Sequence, residues 1–155
     1  MDDRINLLVS ILSAGFDAPS WHGPNLASSL RGFDGRTAAR SFRGRRSIWE
    51  QALHAAYWKQ RVLNKLVGTQ PFPRRGSNWP KLPLVVSERA WKADRQLLHD
   101  IHQRLLTAVK KSDSRKLNPK IQRMIYGAAA HDVYHAGQIR LLRRLLKSKS
   151  SRGIG

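Results

Sequence analysis

Apolar positions recur at three- and four-residue steps in four separate stretches of the chain, the period of helices that bury one face. The first stretch runs from Asp3 to Ala14, where Ile5, Leu8, Val9, Ile11 and Leu12 make a broad apolar face that ends near Gly15. The second opens at Ser47-Ile48-Trp49-Glu50. That is a capping-box sequence, in which the serine takes the third helical amide and the glutamate reaches back to the cap. It continues to Val67 and stops at Gly68. The third opens at Ser87-Glu88 and carries Trp91, Leu97, Leu98, Ile101, Leu105 and Val109, until the polar stretch from Lys110 to Lys116 ends it. The fourth opens at Asn118-Pro119, which reads as cap and first helical position, and sets Ile121, Met124, Ile125, Ala128, His135, Ile139, Leu142 and Leu146 on one stripe.

The connections are unequal. From Gly15 to Arg46 the chain is rich in Gly, Ser and Arg; Ala18-Pro19-Ser20-Trp21-His22-Gly23-Pro24 signals turns, and Leu26 to Leu30 has room for a turn or two of helix. A connection of this length in a small domain is usually functional. From Thr69 to Val86 four prolines (Pro71, Pro73, Pro80, Pro83) and Gly76 forbid a continuous helix and predict an ordered crossover. Four helices with two long connections and one short one predict an all-α four-helix bundle, whose sites are built from inward side chains of facing helices. We expect one domain over 1–147 and a small, polar, flexible basic tail over 148–155. No internal repeat is present.

At 155 residues and 41% hydrophobic content the chain is long enough to bury a core unaided. It has no cysteine, which excludes disulfides, thiolate zinc sites, iron-sulfur clusters and a cysteine nucleophile; any metal must be held by nitrogen and oxygen. The start Met1-Asp2-Asp3-Arg4 is acidic where an export signal is basic, and Asn6, Ser10, Ser13 and Gly15 interrupt the apolar stretch that follows. No run approaches the roughly 20 apolar residues of a membrane span, so the expectation is a soluble, cytoplasmic protein with no membrane partner.

Charge changes the picture more. With 29 Lys and Arg against 10 Asp and Glu the formal charge is +19, which invites nucleic acid as a partner. Arg31, Arg36, Arg40, Arg43, Arg45 and Arg46 crowd one connection, and Arg140, Arg143, Arg144, Lys147, Lys149 and Arg152 crowd the C-terminal end. Yet basic residues occur in every segment without the interleaved aromatics that stack bases. Nucleic acid is therefore a lesser expectation than a solvated basic surface. Trp21, Trp49, Trp58, Trp79 and Trp91 read as packing residues.

The candidate chemistry lies with histidine. His131 and His135 stand four apart on the fourth helix, so both rings share a face. One lies within the apolar stripe and the other at its edge, where unpaired imidazoles are costly and a divalent ion would satisfy both. His54, on the second helix, projects beside the Leu53, Ala56, Gln60 stripe, and spacing alone does not select it. His22 sits in the turn before the second helix, either as a plain turn residue or as an acid, base or substrate contact at the bundle mouth. His99 and His102 lie among Arg95, Asp100, Gln103 and Arg104, which favours solvated or stabilising roles. Gly137 reads as a point of close helix approach.

The run His131-Asp132-Val133-Tyr134-His135-Ala136-Gly137-Gln138-Ile139 closely resembles the signature near the C-terminus of DinB-like proteins. Ser47-Ile48-Trp49-Glu50, with His54 and Tyr57-Trp58, resembles the same family's second helix. Ser20-Trp21-His22-Gly23-Pro24 and Pro71-Phe72-Pro73 fall in matching order, so the resemblance covers nearly the whole chain. The family, also linked to YfiT and to bacterial thiol-dependent transferases, is a four-helix bundle that binds a divalent ion through three histidines. The resemblance implies His54, His131 and His135 as ligands, with zinc or nickel foremost and iron, cobalt or manganese also compatible. Three histidines leave a coordination position open for water or substrate. Glu50, Tyr57, Asp132, Tyr134 and Gln138 are candidates to support or act at that site, and Tyr57, Tyr134, Gln138 and His22 are the candidate catalytic residues.

The resemblance implies a metal-dependent transferase acting with a low-molecular-weight thiol on a small-molecule electrophile, with hydrolysis as a variant of the same chemistry. A basic entrance would steer an anionic thiol or electrophile inward. The alternatives are a non-catalytic metal-binding stress protein and a basic nucleic-acid-associated protein. A homodimer is expected from relatives.

Overall fold

The computed structural model describes residues 2–150 and is all-α, with six helices and, among the described residues, no strand. They are α1 (Asp3–Phe16), α2 (Leu26–Ser29), α3 (Gly35–Ala39), α4 (Ile48–Val67), α5 (Glu88–Lys110) and α6 (Pro119–Ser150). The four long helices are those expected from the hydrophobic period. α1 runs two residues further than Ala14, because Gly15 and Phe16 continue its buried face. The capping box at Ser47 and Glu50 is formed in both directions, Glu50 N–H to Ser47 Oγ at 3.1 Å and Ser47 N–H to Glu50 Oε2 at 2.8 Å. Asn118 caps α6 by accepting from the Ile121 amide at 3.0 Å. α6 continues through Ser150, beyond the boundary expected at Lys147; the rest of the expected tail, 151–155, lies outside the described residues.

The long helices pack as a closed ring, α1 against α6, α6 against α4, α4 against α5 and α5 back against α1. Two short helices occupy the connection after α1, where at most one had been expected. Asn25 and Asp34 cap them, and α2 closes on α6 and α3 on α5 and α4. Close approach is made at Gly15, where a Cβ would stand 2.9 Å from the Ala129 carbonyl oxygen of α6. Gly137 is not such a point: a Cβ there meets nothing within 4 Å. Trp49 and Trp91 are fully buried, but Trp21 is wholly exposed and packs on nothing, which corrects the expectation that all five tryptophans pack.

Two apolar clusters fill the ring, one around Trp49, Trp91, Leu98 and Ile139 and the other around Leu12, Leu63, Leu105 and Ile125. Between them along three helices lies a polar layer made by Lys59 of α4, His102 of α5 and Asp132 of α6, each no more than 1% exposed. Lys59 Nζ lies 2.5 Å from Asp132 Oδ2 and 3.0 Å from His102 Nδ1. Burial raises the Asp132 carboxyl pKa, and the Lys59 ammonium pulls against that rise. His102 is pushed down to about 2 by burial, then by the neighbouring ammonium. It is therefore neutral, with Nδ1 accepting from Lys59. Such a pair adds little net stability against an apolar replacement, but a half-pair is expensive.

Lys59→Met should therefore destabilise the fold by about 3–5 kcal/mol, whereas Lys59→Met combined with Asp132→Leu should recover most of that loss. Urea unfolding of both variants checks this; equal loss in the two would contradict it.

Candidate metal centre

One turn along α4 from the polar layer, the seam between α4 and α6 changes chemistry. His54 of α4 meets His131 and His135 of α6, and the three rings supply ligand atoms that all lie within 4.8 Å of one another. His131 Nε2 stands 3.1 Å from His54 Nε2 and 3.0 Å from His135 Nε2. The periodicity that left His54 beside its stripe is consistent with this position: it lies at the edge of the α4 face, where the groove against α6 begins. Such a group of three imidazoles could hold one metal ion.

The far side of each ring fixes which nitrogen is available. His54 Nδ1 lies 2.5 Å from the Asn78 carbonyl oxygen, and His135 Nδ1 lies 2.7 Å from Gln51 Oε1. Both partners are oxygen acceptors, so both rings carry their hydrogen on Nδ1 and turn a bare Nε2 lone pair inward. His131 Nδ1 has no protein partner among the described residues. That ring alone is free to put its hydrogen on either nitrogen: on Nε2 it bridges its neighbours, and on Nδ1 it adds a third inward lone pair. Burial holds all three below the usual histidine range, His131 at about 4 and His135 at about 3. Mutual repulsion among the rings adds to the effect on His131 and His135. At neutral pH the cluster is an uncharged nitrogen donor set, as metal binding requires.

Asn78 is the residue that sequence reasoning missed most clearly. It sits in the crossover with φ of 59°, a left-handed conformation that asparagine tolerates better than most residues. Its carbonyl takes His54 while its Oδ1 accepts from Trp58 Nε1 at 2.9 Å. The next residue, Trp79, stacks on His54 with ring centres 3.8 Å apart and planes 9° apart, and the Arg46 guanidinium lies 5.0 Å above Trp79. Gln51, one turn before His54, was also missed. A prolyl crossover thus clamps the α4 histidine from outside, anchored in turn by Arg74, whose guanidinium bonds the buried Asp94 of α5.

The remaining candidates separate. Tyr134 and Gln138 line a cleft of about 450 Å³ over the histidines together with Arg45, Arg46, Trp79 and Leu141. Tyr134 is exposed, its ring edge-on to His135 at 4.9 Å. Tyr57 is placed elsewhere: it packs edge-on against Trp58 and Phe72 and lines a different cleft with Gln60 and Pro71. His22 stays in its exposed turn beside Ser20. Glu50 is occupied by the cap and by Arg46 at 2.8 Å, and Asp132 by Lys59. Neither reaches the rings. His99 is exposed near Asp100, as expected of a solvated residue, and His102 is the stabilising member of the polar layer.

The model of the DinB superfamily matches residues 24–139, which include all three histidines. No curated protein and no solved structure matches the chain. No helix among the described residues is long and apolar enough to cross a membrane.

Because His131 and His135 stay neutral when folded down to about pH 4, but ionise near 6.5 when unfolded, acid favours the unfolded chain in that window. Stability of metal-free protein should fall from pH 7 to pH 5, by up to about 1.4 kcal/mol per pH unit for each histidine involved. Asp132 works in the opposite sense, since its raised pKa lets the folded state take up a proton first. Urea midpoints in chelator should show a clearly shallower slope in His131→Ala/His135→Ala; an unchanged slope would contradict the assignment.

Proposed function

The chain belongs to the DinB superfamily, and from that premise we propose that His54, His131 and His135 bind one divalent ion and that the protein uses it as a transferase acting with a low-molecular-weight thiol. The observation that carries the metal part of this reading is the pair of second-side hydrogen bonds; the thiol-dependent transfer rests on the family resemblance. Asn78 and Gln51 hold two imidazoles with Nε2 unprotonated in a group whose ligand atoms all lie within 4.8 Å of one another, the arrangement by which outer partners set the tautomer of metal-binding histidines. The donor set fits zinc or nickel foremost, with iron, cobalt and manganese also compatible, since nitrogen ligands alone discriminate little among them.

A divalent ion held by the three imidazoles would supply Lewis acidity, which favours the thiolate form of a thiol. The chain's own groups do the rest. Trp79 and the His54 ring form a flat wall that limits water on one side. Arg45 gives the cleft mouth a positive charge suited to an anionic thiol or electrophile. Tyr134 and Gln138 stand on the α6 rim, where a phenol and an amide can orient a polar substrate group. The transfer makes one sulfur-carbon bond at an electrophilic carbon, and the thiol proton passes to the departing group or, in an addition, to the adjacent carbon.

Cobalt reports both parts of the proposal optically. Titrating cobalt(II) into metal-free protein should produce ligand-field bands at one equivalent, absent in His131→Ala, with Gln51→Leu binding roughly 10- to 100-fold more weakly. Adding glutathione should then raise a sulfur-to-cobalt charge-transfer band. Bands without any response to glutathione would remove the thiol from the account; no bands would remove the metal.

A further inference from the structure

The seam between α4 and α6 does not end at the histidines. Below them it continues as a groove of about 280 Å³ lined by Trp58, Val62, Met124, Gly127, Ala128 and His131. On α4, His54, Trp58 and Val62 follow one another at four-residue steps, so ligand and groove wall share a single helical face. The lining is almost wholly apolar. His131 borders both this groove and the cleft above it, so its ring stands between an apolar part of the seam and a part that carries charged side chains.

The upper half carries the charge. Phe42, Arg43, Gly44 and Arg45 form a tight turn in which Arg43 and Gly44 both have positive φ (47° and 74°) and the Arg45 amide bonds back to the Phe42 carbonyl at 3.0 Å. The turn sets Arg45 at the cleft mouth, exposed and without an acidic or hydrogen-bonding side-chain partner among the described residues. Arg46 beside it is already spent on Glu50 and Trp79. Arg45 is thus the free cation of the rim, and the cleft offers it no acidic residue.

We propose that the α4–α6 seam is the binding site for a small linear amphiphile: an anionic group, carboxylate or sulfonate, held by Arg45, and an unbranched alkyl or acyl portion lying past His131 in the Trp58–Gly127 groove. This deepens the preceding reading by giving the electrophilic partner an apolar portion, and it rests on that reading only for what happens at the histidines. The groove itself is built by helix packing and by the Asn78 hydrogen bond that fixes Trp58, and needs no ion. Gly127 is what keeps it open. A Cβ there meets nothing within 4 Å, so the first atom of a larger side chain has open space at the groove, and replacing a helical glycine favours the helix.

Calorimetric titration with acetate, butanoate, hexanoate and octanoate tests this in metal-free and in zinc-loaded protein. Affinity should rise about fourfold per methylene until the groove is filled. Gly127→Leu should abolish the chain-length dependence while leaving the circular dichroism and the binding of acetate unchanged. Arg45→Ala should weaken all four ligands by a similar factor. Affinity independent of chain length, or a chain-length dependence that survives Gly127→Leu, would overturn the proposal. Chain-length dependence in protein that takes up no zinc would leave the groove standing and sink the metal reading instead, so the two fail separately.

Discussion

Three neutral imidazoles, with His131 Nε2 about 3 Å from the Nε2 of both His54 and His135 and two of the rings locked as inward-facing acceptors, form the constraint around which the rest of the chain is arranged. Nitrogen lone pairs at that distance repel unless a proton or a cation lies between them. A single hydrogen on His131 Nε2 relieves one contact at a time, whereas a divalent ion relieves both. Holding the rings there requires α4 and α6 at a fixed separation and register, and a crossover that can reach His54 from outside. The prolines and the left-handed Asn78 of that crossover make sense in those terms.

The polar layer beneath the site serves the same geometry. Lys59 lies five residues after His54 and Asp132 directly follows His131, so their ion pair ties α4 to α6 within about one turn of the histidines. An apolar pair would tolerate sliding of one helix on the other, but a buried ammonium and carboxylate at hydrogen-bond distance tolerate much less. His102 extends the tie to α5, and Phe16 of α1 stacks on His102 at 4.0 Å. All four long helices are thereby referred to one layer. Part of the +19 charge is absorbed in such roles: Arg74 holds the crossover on Asp94, and Arg143 donates to the Ser29 and Arg31 carbonyls from beside the Phe33 ring. Charge crowding in the sequence therefore overstates the basic surface available to a partner.

What could be read from the sequence was whatever is determined within a few residues. The Ser47 capping box, the Asn118-Pro119 start and the four apolar stripes depend on local spacing, and the helices begin where those signals lie. The His131–His135 pair is likewise a property of one helix. His54 is different: its place depends on how α4 rotates against α6, which the resemblance supplied and periodicity did not. Gln51 and Asn78 were not found at all, because their roles exist only across 84 and 24 residues of separation, and Trp79 was read as a packing residue without its partner, since its stacking on His54 has no sequence period. Misreadings went the same way. Tyr57 shares α4 with His54 but points to Phe72, Trp21 is bare, and Gly137 faces open space.

The central claim is the ion, and metal content measures it most directly. Mass spectrometry of untagged protein should find about one divalent ion per chain, and none in His54→Ala/His131→Ala/His135→Ala that retains native helicity by circular dichroism. Wild-type protein that holds no ion even after incubation with zinc or nickel, or a folded triple variant that holds as much as wild type, would contradict the account.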